Sequence, residues 1–562
     1  MKFSWRRFLL WVGVPSVIIV CGFASFWEAR SLGAYGDDSA GYIYLAGRLF
    51  HHQPLMFISD LGKQAIDFFG DEKLARWIIP THHQYINPSG MAASKYPLLL
   101  SVLMALSGTL IDAPRGFFIV QPLSSIGILV GTYILTMLLF AHHKRDRFWL
   151  ACGAVVSLYA SSLFFEATLS QPMREIPAMC FLIWSFIALF IALRASKNRF
   201  VYTGVAIAGS LFGAAVAVRE TLILTLPALV ACVLLFKIKE RSVWKILLTA
   251  FFFFLLACIP LMYTSVSISS EKVVFKKRDV STVVIVPNIG HIQTISLNNL
   301  FHNDGKFNAG EGSLPTYIRT INTALPIPLF GLLILYGFVR LFHRERKIGI
   351  ILLLWALPIF ALYSLWINPY GRYILPLYPI IMIVVAYGMY HVCIHDIPQI
   401  FSVKKSQRFM QSVLIIACCA YLFGPLYQHA LSAENIFERN DREFTRADVN
   451  AISTLDDIAS GVPGNVILMF AGDNEEGVSE TVDAYTGRMS IRFPIDKKYS
   501  APIEKVRQFF AEYVFPQYTV LAVIDDSTSS AFYEWAKPYT LTELGSVPFT
   551  FQSHTRVVQI TP

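Results

Sequence analysis

Charge is scarce in this chain. Only 15% of its 562 residues are Asp, Glu, Lys or Arg, whereas 55% are hydrophobic and the mean hydropathy is positive. Such a balance leaves too little polar surface to cover one water-soluble globule, which excludes a soluble enzyme. Cysteine is missing from every polar segment. All eight, Cys21, Cys152, Cys180, Cys232, Cys258, Cys393, Cys418 and Cys419, fall in apolar runs or beside basic connections. Disulfides therefore cannot hold exported parts together, and no zinc-type cysteine spacing occurs. The chain also lacks a basic stripe interleaved with aromatics, so the formal charge of +9 does not point to a nucleic-acid partner. Internal repeats and low-complexity tracts are absent, and no small-residue cleavage pattern follows the first apolar run at "CGFASFWEAR".

What is abundant is the apolar run of membrane-crossing length, roughly 17 to 25 residues at about 1.5 Å each. Eleven spans are predicted, near 8–27, 117–140, 148–165, 176–194, 201–218, 221–236, 246–264, 323–342, 348–366, 373–392 and 409–427. One further stretch, 97–110, is marginal in length and is read as lying on the membrane surface. With Met1 inside, beside Lys2, Arg6 and Arg7, the connections "AHHKRDR", "RASKNR", "KIKERSVWK", "HRERK" and "VKKSQR" share the inner side, each with at least three basic residues. The short outer corners carry only Arg174, Arg219 and Arg372. Were 97–110 to cross, every basic loop would face outward, against the positive-inside bias.

The fold class expected is thus a polytopic α-helical membrane protein of the inner (cytoplasmic) membrane, with its N-terminus cytoplasmic and its C-terminus extracytoplasmic. Residues 1–427 form the transmembrane domain, with a first outer loop at 28–116 and a second at 265–322. The tail, 428–562, is read as a small α/β domain, because "GNVILMFAGD" and "YTVLAVIDDS" end apolar runs in turn and acidic residues, as buried strands do. Between them "APIEKVRQFFAEYVF" has helical spacing.

Two acidic features sit at outward membrane edges. Asp37 and Asp38 precede Tyr42, Leu45, Ala46 and Leu49, whose spacing predicts an amphipathic helix over 39–50 lying along the outer interface. Capping by Asp38 or Ser39 accounts for one acid but not its neighbour. Glu175 opens the span near 176, two residues before Pro177, a position that also suits an ordinary helix start. Isolated cations mark other outward ends: Lys95 before Tyr96 and Pro97, Arg219 in "AVRET", and Arg372 in "NPYGRYILPLYP". Each alone could be a snorkelling anchor, yet they recur where a lipid phosphate would lie. A carboxylate to take a proton and cations to stabilise a departing phosphate suit sugar transfer from a polyprenyl phosphate. His82 and His83 lack a third ligand, so no metal is assigned.

The chain resembles the GT-C superfamily of polyprenyl-phosphate-sugar-dependent glycosyltransferases, in the branch of protein O-mannosyltransferases and aminoarabinose transferases. The carriers of the resemblance are Asp38, Tyr42 and Ala46 in the first outer loop, Lys95 and Pro97 in "KYPLLL", Glu175 with Pro177, and Arg372, Tyr373 and Pro376 in "RYILP". It covers residues 1 to 395 in order and topology, and departs in having Glu at 175 where the family also uses Asp. It implies an inverting transfer to a hydroxyl on a glycan, lipid or protein acceptor at the outer face, without a catalytic metal. In that scheme Asp38, or its neighbour Asp37, is the base and Glu175 assists. Lys95, Tyr96, Arg219 and Arg372, with Tyr42, bind the donor.

Two other classes remain at this point. A transporter or flippase for lipid-linked sugars would place ionisable groups in mid-span or use broken helices; the break at Arg219 and Glu220 is its best hint. A surface-polysaccharide polymerase or ligase would favour basic outer loops such as "EKVVFKKRD". The orientation itself is testable: alkaline phosphatase fused after residue 345 should be inactive, and fused after 562 active. The reverse pattern would overturn the topology.

Overall fold

Backbone groups in hydrocarbon must be satisfied within their own segment, so apolar runs of this length fold as helices. A computed structural model of the chain describes residues 5–27, 30–33, 37–55, 57–70, 84–86, 91–94, 97–111, 115–143, 146–169, 172–237, 243–269, 300–301, 311–324, 330–366, 369–400, 406, 409–413, 445–471, 478–493, 501–525, 530–549 and 555–562. Its longer helices are α1 (Val14–Phe26), α2 (Asp37–Phe50), α3 (Asp60–Phe69), α4 (Leu98–Ile111), α5 (Val120–Leu139), α6 (Arg147–Tyr159), α7 (Ser162–Leu169), α8 (Glu175–Arg194), α9 (Asn198–Val218), α10 (Leu226–Lys237), α11 (Val243–Ser269), α12 (Ser313–Ala324), α13 (Phe330–Arg344), α14 (Arg346–Ser364) and α15 (Tyr378–His391). Short 3-10 turns, Glu220–Thr225 and Gly371–Leu377, lead into α10 and α15.

Among the described residues six helices are long and apolar enough to cross a membrane, or seven if a bent pair is one span. That is fewer than the eleven predicted. The segment read as one span over 148–165 is α6 followed by α7, bent by 61°. The segment read as starting at 323 has its helix at Phe330–Arg344, after a separate helix α12. Most of 409–427 and of the 265–322 loop lies outside the described residues. At 14 residues α4 spans about 21 Å, too short for hydrocarbon roughly 30 Å thick.

Polar bonds orient the bundle. At one end Gln121 Nε2 donates to Ala167 O at 2.7 Å and its Oε1 accepts from Met173 N at 3.5 Å. At the other, Arg194 Nη2 donates to Leu138 O at 2.5 Å. Helix α8 thus runs from Glu175 at one end of α5 to Arg194 at the other, with acid in its first turn and base in its last, as the helix dipole favours. Small residues set a close crossing: Cβ atoms on Gly209 and Gly213 of α9 would collide with backbone of α11 at Ala250 and Phe254.

The C-terminal part adds α16 (Arg446–Ser460), α17 (Val478–Thr486), α18 (Ile503–Phe509) and α19 (Ser530–Ala536) around β4 (Val466–Ala471), β5 (Ser490–Arg492), β6 (Thr519–Asp525), β7 (Thr540–Ser546) and β8 (Thr555–Thr561). Three short strands, β1 (Phe57–Ile58), β2 (Gln84–Ile86) and β3 (Met91–Ser94), pair separately in the first loop. The larger sheet has the order β5-β4-β6-β8-β7, with β5, β4 and β6 parallel and the last two strands antiparallel. Strand alternation divides its faces. Leu468, Phe470, Leu521 and Val523 join the core shared with α16, α17 and the helical bundle. Ile467, Met469, Val520, Ala522 and Ile524 pack under α18 and α19.

The tail does not close this second core with its own residues. Leu61, Ala65 and Phe69 of α3 enter it, with the Phe69 ring 5.3 Å from that of Phe509. Ser59 caps α3 by accepting from Gly62 N at 3.1 Å, and Gly70, at φ 66°, ends it.

Helix α2 is not a surface-lying element with one wet face. Ala40, Tyr42, Ile43, Tyr44, Leu45 and Ala46 are all buried. On one side Ser101 of α4 donates to Tyr42 O at 3.0 Å. On the other Gly47 meets α17 so closely that a Cβ there would run into Ala484 Cα. His51 Nε2 lies 3.1 Å from Ala484 O, Gln53 donates to Gly487 O at 3.2 Å, and Tyr485 Oη donates to Leu32 O at 2.8 Å. The helix predicted at the membrane surface is instead clamped between bundle and sheet domain.

Two outcomes follow for stability. Gly47→Val should cost about 1–3 kcal/mol by overpacking and loosen the clamp, read as faster proteolytic release of the sheet domain. Asp483, on α17, has a buried oxygen, Oδ1, without a hydrogen-bond partner among the described residues. Burial pushes its carboxyl well above the usual range and Glu480 adds to this, while Ser490 and Arg48 oppose it. A raised pKa means that the neutral acid's stabilisation is complete below the unfolded value of about 3.9 and is lost as pH rises through the folded one. Asp483→Asn should therefore melt higher than wild type at pH 8, with the gap closing at low pH; equal melting across that window would refute the assignment.

Candidate active site

The bundle end that holds Gln121 and Met173 also gathers the isolated charges. Glu175 begins α8, and Arg219 follows the last residue of α9, where the chain leaves the helix at φ −144° and ψ 104°. Both are withdrawn from solvent, Glu175 being 3% and Arg219 1% exposed. Arg219 Nη1 forms an ion pair with Glu175 Oε1. The rest of the guanidinium is spent on protein: Nη2 donates to Tyr363 Oη at 2.8 Å and Nε to Thr221 Oγ1 at 3.3 Å. Thr221 and Tyr363 hydroxyls are themselves 2.8 Å apart. Next to this pair Arg174 Nη1 donates to Glu220 Oε2 at 3.1 Å.

Arg372 comes from the 3-10 turn Gly371–Leu377. Its Nε lies 4.0 Å from Glu175 Oε1, and it is 28% exposed. Tyr363 and Tyr373 stack with ring centroids 5.0 Å apart, and both arginines lie over the Tyr373 ring, Arg219 at 5.4 Å and Arg372 at 5.6 Å. The face of a tyrosine ring attracts a guanidinium without neutralising its charge.

The start of α2 adjoins this group. Ser39 Oγ lies 3.4 Å from Met173 Sδ, and Arg372 Nη1 lies 3.2 Å from the same sulfur. Asp37 and Asp38 occupy the first turn of α2 immediately before Ser39. The backbone of the acidic doublet is thus at the same end of the bundle as Glu175 and Arg372. Lys95 and Tyr96 lie outside the described residues, while Tyr42 is buried in the α2 interface.

Of the residues singled out in the sequence, the structure brings together Glu175, Arg219, Arg372, Tyr373 and the backbone of the Asp37–Asp38 turn. Tyr363, Thr221, Met173 and Ser39 were not singled out as site residues. Nothing flags Tyr363, an aromatic within an apolar run. Glu220 and Arg174 stood in the sequence as further charges at the same corners.

One carboxylate atom stands out chemically. Glu175 Oε2 is buried and accepts no hydrogen bond from the described residues. A buried anionic oxygen without a donor costs free energy, roughly 1–3 kcal/mol or more when charged, and a hydroxyl donor arriving at this end of the bundle would relieve it.

No protein-family model matches the chain, and no curated protein sequence does. Solved structures do. ArnT from Cupriavidus metallidurans bound to undecaprenyl phosphate is similar at TM-score 0.56 and 13% identity, over 99% of this chain and 98% of that one. The oligosaccharyltransferase of Archaeoglobus fulgidus in the apo form is similar at TM-score 0.56 and 12% identity, over 95% of this chain and 72% of that one. The same organism's oligosaccharyltransferase AglB, in complex with an inhibitory peptide and a dolichol-phosphate, gives TM-score 0.53 and 11% identity over 95% and 71%. Identities this low speak to architecture alone, and the architecture is one shared with ArnT and with the archaeal oligosaccharyltransferase.

Proposed function

We propose that this chain is a membrane glycosyltransferase that moves a sugar from a polyprenyl-phosphate donor to a hydroxyl acceptor at the outer face of the cytoplasmic membrane, with inversion. The observation that carries the reading is the meeting of Glu175, its Oε2 lacking a donor among the described residues, with the partly exposed Arg372 beside the acidic turn of α2. The shared fold supports it, since the similar ArnT structure holds undecaprenyl phosphate and the similar AglB structure holds a dolichol-phosphate.

In this reading the acceptor oxygen attacks the anomeric carbon from the face opposite the phosphate. Its proton passes to the Asp38 carboxylate, with Asp37 the alternative base. The bond from anomeric carbon to phosphate oxygen breaks, and the electron pair leaves with the lipid phosphate. Arg372 receives that growing negative charge, with Lys95 and Tyr96 assigned to the same headgroup and Tyr42 supporting the acidic turn from within α2. Glu175 Oε2 accepts from a donor or acceptor hydroxyl and orients it. Arg219 has a different task from the one its sequence position suggested. Buried and committed to Tyr363, Thr221 and Glu175, it fixes the carboxylate and leaves the phosphate to Arg372. The sheet domain, whose α17 packs on α2 at Gly47, is assigned to acceptor selection.

A general base contributes typically 10²–10⁴-fold, so Asp38→Asn should lower transfer by about that factor while the protein still inserts. The assay is release of labelled sugar from polyprenyl phosphate in detergent; undiminished release by Asp38→Asn would remove it as base. Transport of the intact donor without release would instead favour the flippase reading. Arg372→Ala should weaken donor binding with a fold that stays intact. Glu175→Gln leaves Arg219 buried without its counter-charge, so activity and stability should fall together, the latter by about 3–5 kcal/mol.

A further inference from the structure

Two connections that the sequence marks only as basic, "AHHKRDR" and "HRERK", meet at the bundle end opposite Glu175. His142 Nε2 lies 2.7 Å and His143 Nε2 3.0 Å from one and the same atom, Glu345 Oε1. The three ligand atoms all lie within 4.8 Å of one another. From this convergence we propose a divalent transition-metal site, of the kind that takes Zn²⁺, built by His142, His143 and Glu345. The proposal is independent of the transferase reading.

Backbone hydrogen bonds fix the chain at two of the three ligands. Glu345 occupies the N-cap position of α14 yet makes no side-chain cap bond there; its carboxylate reaches across to the histidines. Its own N–H donates to Leu341 O at 2.7 Å and its C=O accepts from Gly349 N at 2.9 Å, which fixes the turn between α13 and α14. His143 is fixed likewise, donating from N–H to Phe140 O at 2.9 Å and accepting at its C=O from Arg147 N at 3.0 Å. Phe140 in turn stacks on Tyr387 of α15, 5.1 Å between centroids.

Imidazole and carboxylate donors suit borderline divalent cations. Bonds of about 2.0–2.1 Å in a tetrahedral site set neighbouring ligand atoms about 3.3 Å apart, so the two His–Glu separations widen by about half an ångström while the remaining ligand pair, within 4.8 Å, closes toward the same distance. Without metal, both imidazoles donate Nε2–H to the same oxygen. With it, each Nε2 turns its lone pair inward and the ring proton sits on Nδ1. His142 is 54% and Glu345 17% exposed, which gives an ion an entry route and leaves the fourth position to water. Arg344 and Arg346 flank the carboxylate in sequence and oppose a cation's charge, so chelation by three ligands has to hold it. The ion would tie the connection after α5 to the one between α13 and α14.

The test is a Co²⁺ titration of the full-length protein in detergent, its affinity tag removed, followed by visible d–d absorbance. Wild type should bind one equivalent saturably, displaced by Zn²⁺. His142→Ala, at an exposed position that leaves packing intact, and Glu345→Gln should each weaken binding at least tenfold. His82→Ala combined with His83→Ala should leave it unchanged. Absence of saturable absorbance in wild type, or full retention of binding by a monodisperse His142→Ala protein, would overturn the site.

Discussion

The ion pair of Arg219 with Glu175 governs the arrangement of the bundle end where the acids gather. Two opposite charges removed from water are tolerated only when geometry and further hydrogen bonds compensate their lost hydration. Arg219 meets that demand through Tyr363, Thr221 and Tyr373, which belong to α14 and to the two 3-10 turns. One side chain therefore ties α8, the α9 exit, α14 and the Gly371–Leu377 turn. Both 3-10 turns interrupt apolar runs, and irregular backbone of this sort persists near a membrane only where protein buries it. The breaks and the pair explain each other: an unbroken helix through Arg219 would not carry its guanidinium, Thr221 and the α10 helix on the same course.

A second constraint is the absence of side chains at contact points. Gly47 lets α17 approach α2 to backbone distance, and Phe118 stacks on Tyr485 with centroids 6.2 Å apart beside it. The sheet domain is therefore fastened to the helix that begins with Asp37 and Asp38. Because α3 fills part of the core beneath α18, the first loop holds that domain from both sides. A movement of the sheet domain would be felt at the acidic turn through α2, a rigid lever of 14 residues.

Legibility in the sequence followed cost. A charge among apolar residues is expensive to keep, so Glu175, Arg219 and Arg372 stood out, and they do lie together. The strands Val466–Ala471 and Thr519–Asp525 were visible as uninterrupted apolar runs because both faces of a central strand are covered. Tyr363 and Ser39 carry no such mark, since a hydroxyl inside or beside an apolar helix looks like any other core residue until its partner is known. The 61° bend between α6 and α7 falls at Ala160 and Ser161, with neither Pro nor Gly to announce it. His142, His143 and Glu345 were read for the charge of their loops alone, since their meeting depends on which connections the packing of α5, α13 and α14 makes neighbours.

What sequence could least distinguish is the division of labour between two arginines at similar outward corners. Their surroundings separate them. A guanidinium that is 1% exposed has its donors directed at a carboxylate and a tyrosine. One that is 28% exposed rests on Tyr370 and Tyr373 at the surface of the same group. Since Glu175 spends Oε1 on the buried arginine, an anion approaching Arg372 meets a carboxylate whose charge is already partly offset. In the proposed function the buried pair lowers the repulsion that a phosphate would otherwise meet at Arg372, whose Nε lies 4.0 Å from Glu175 Oε1.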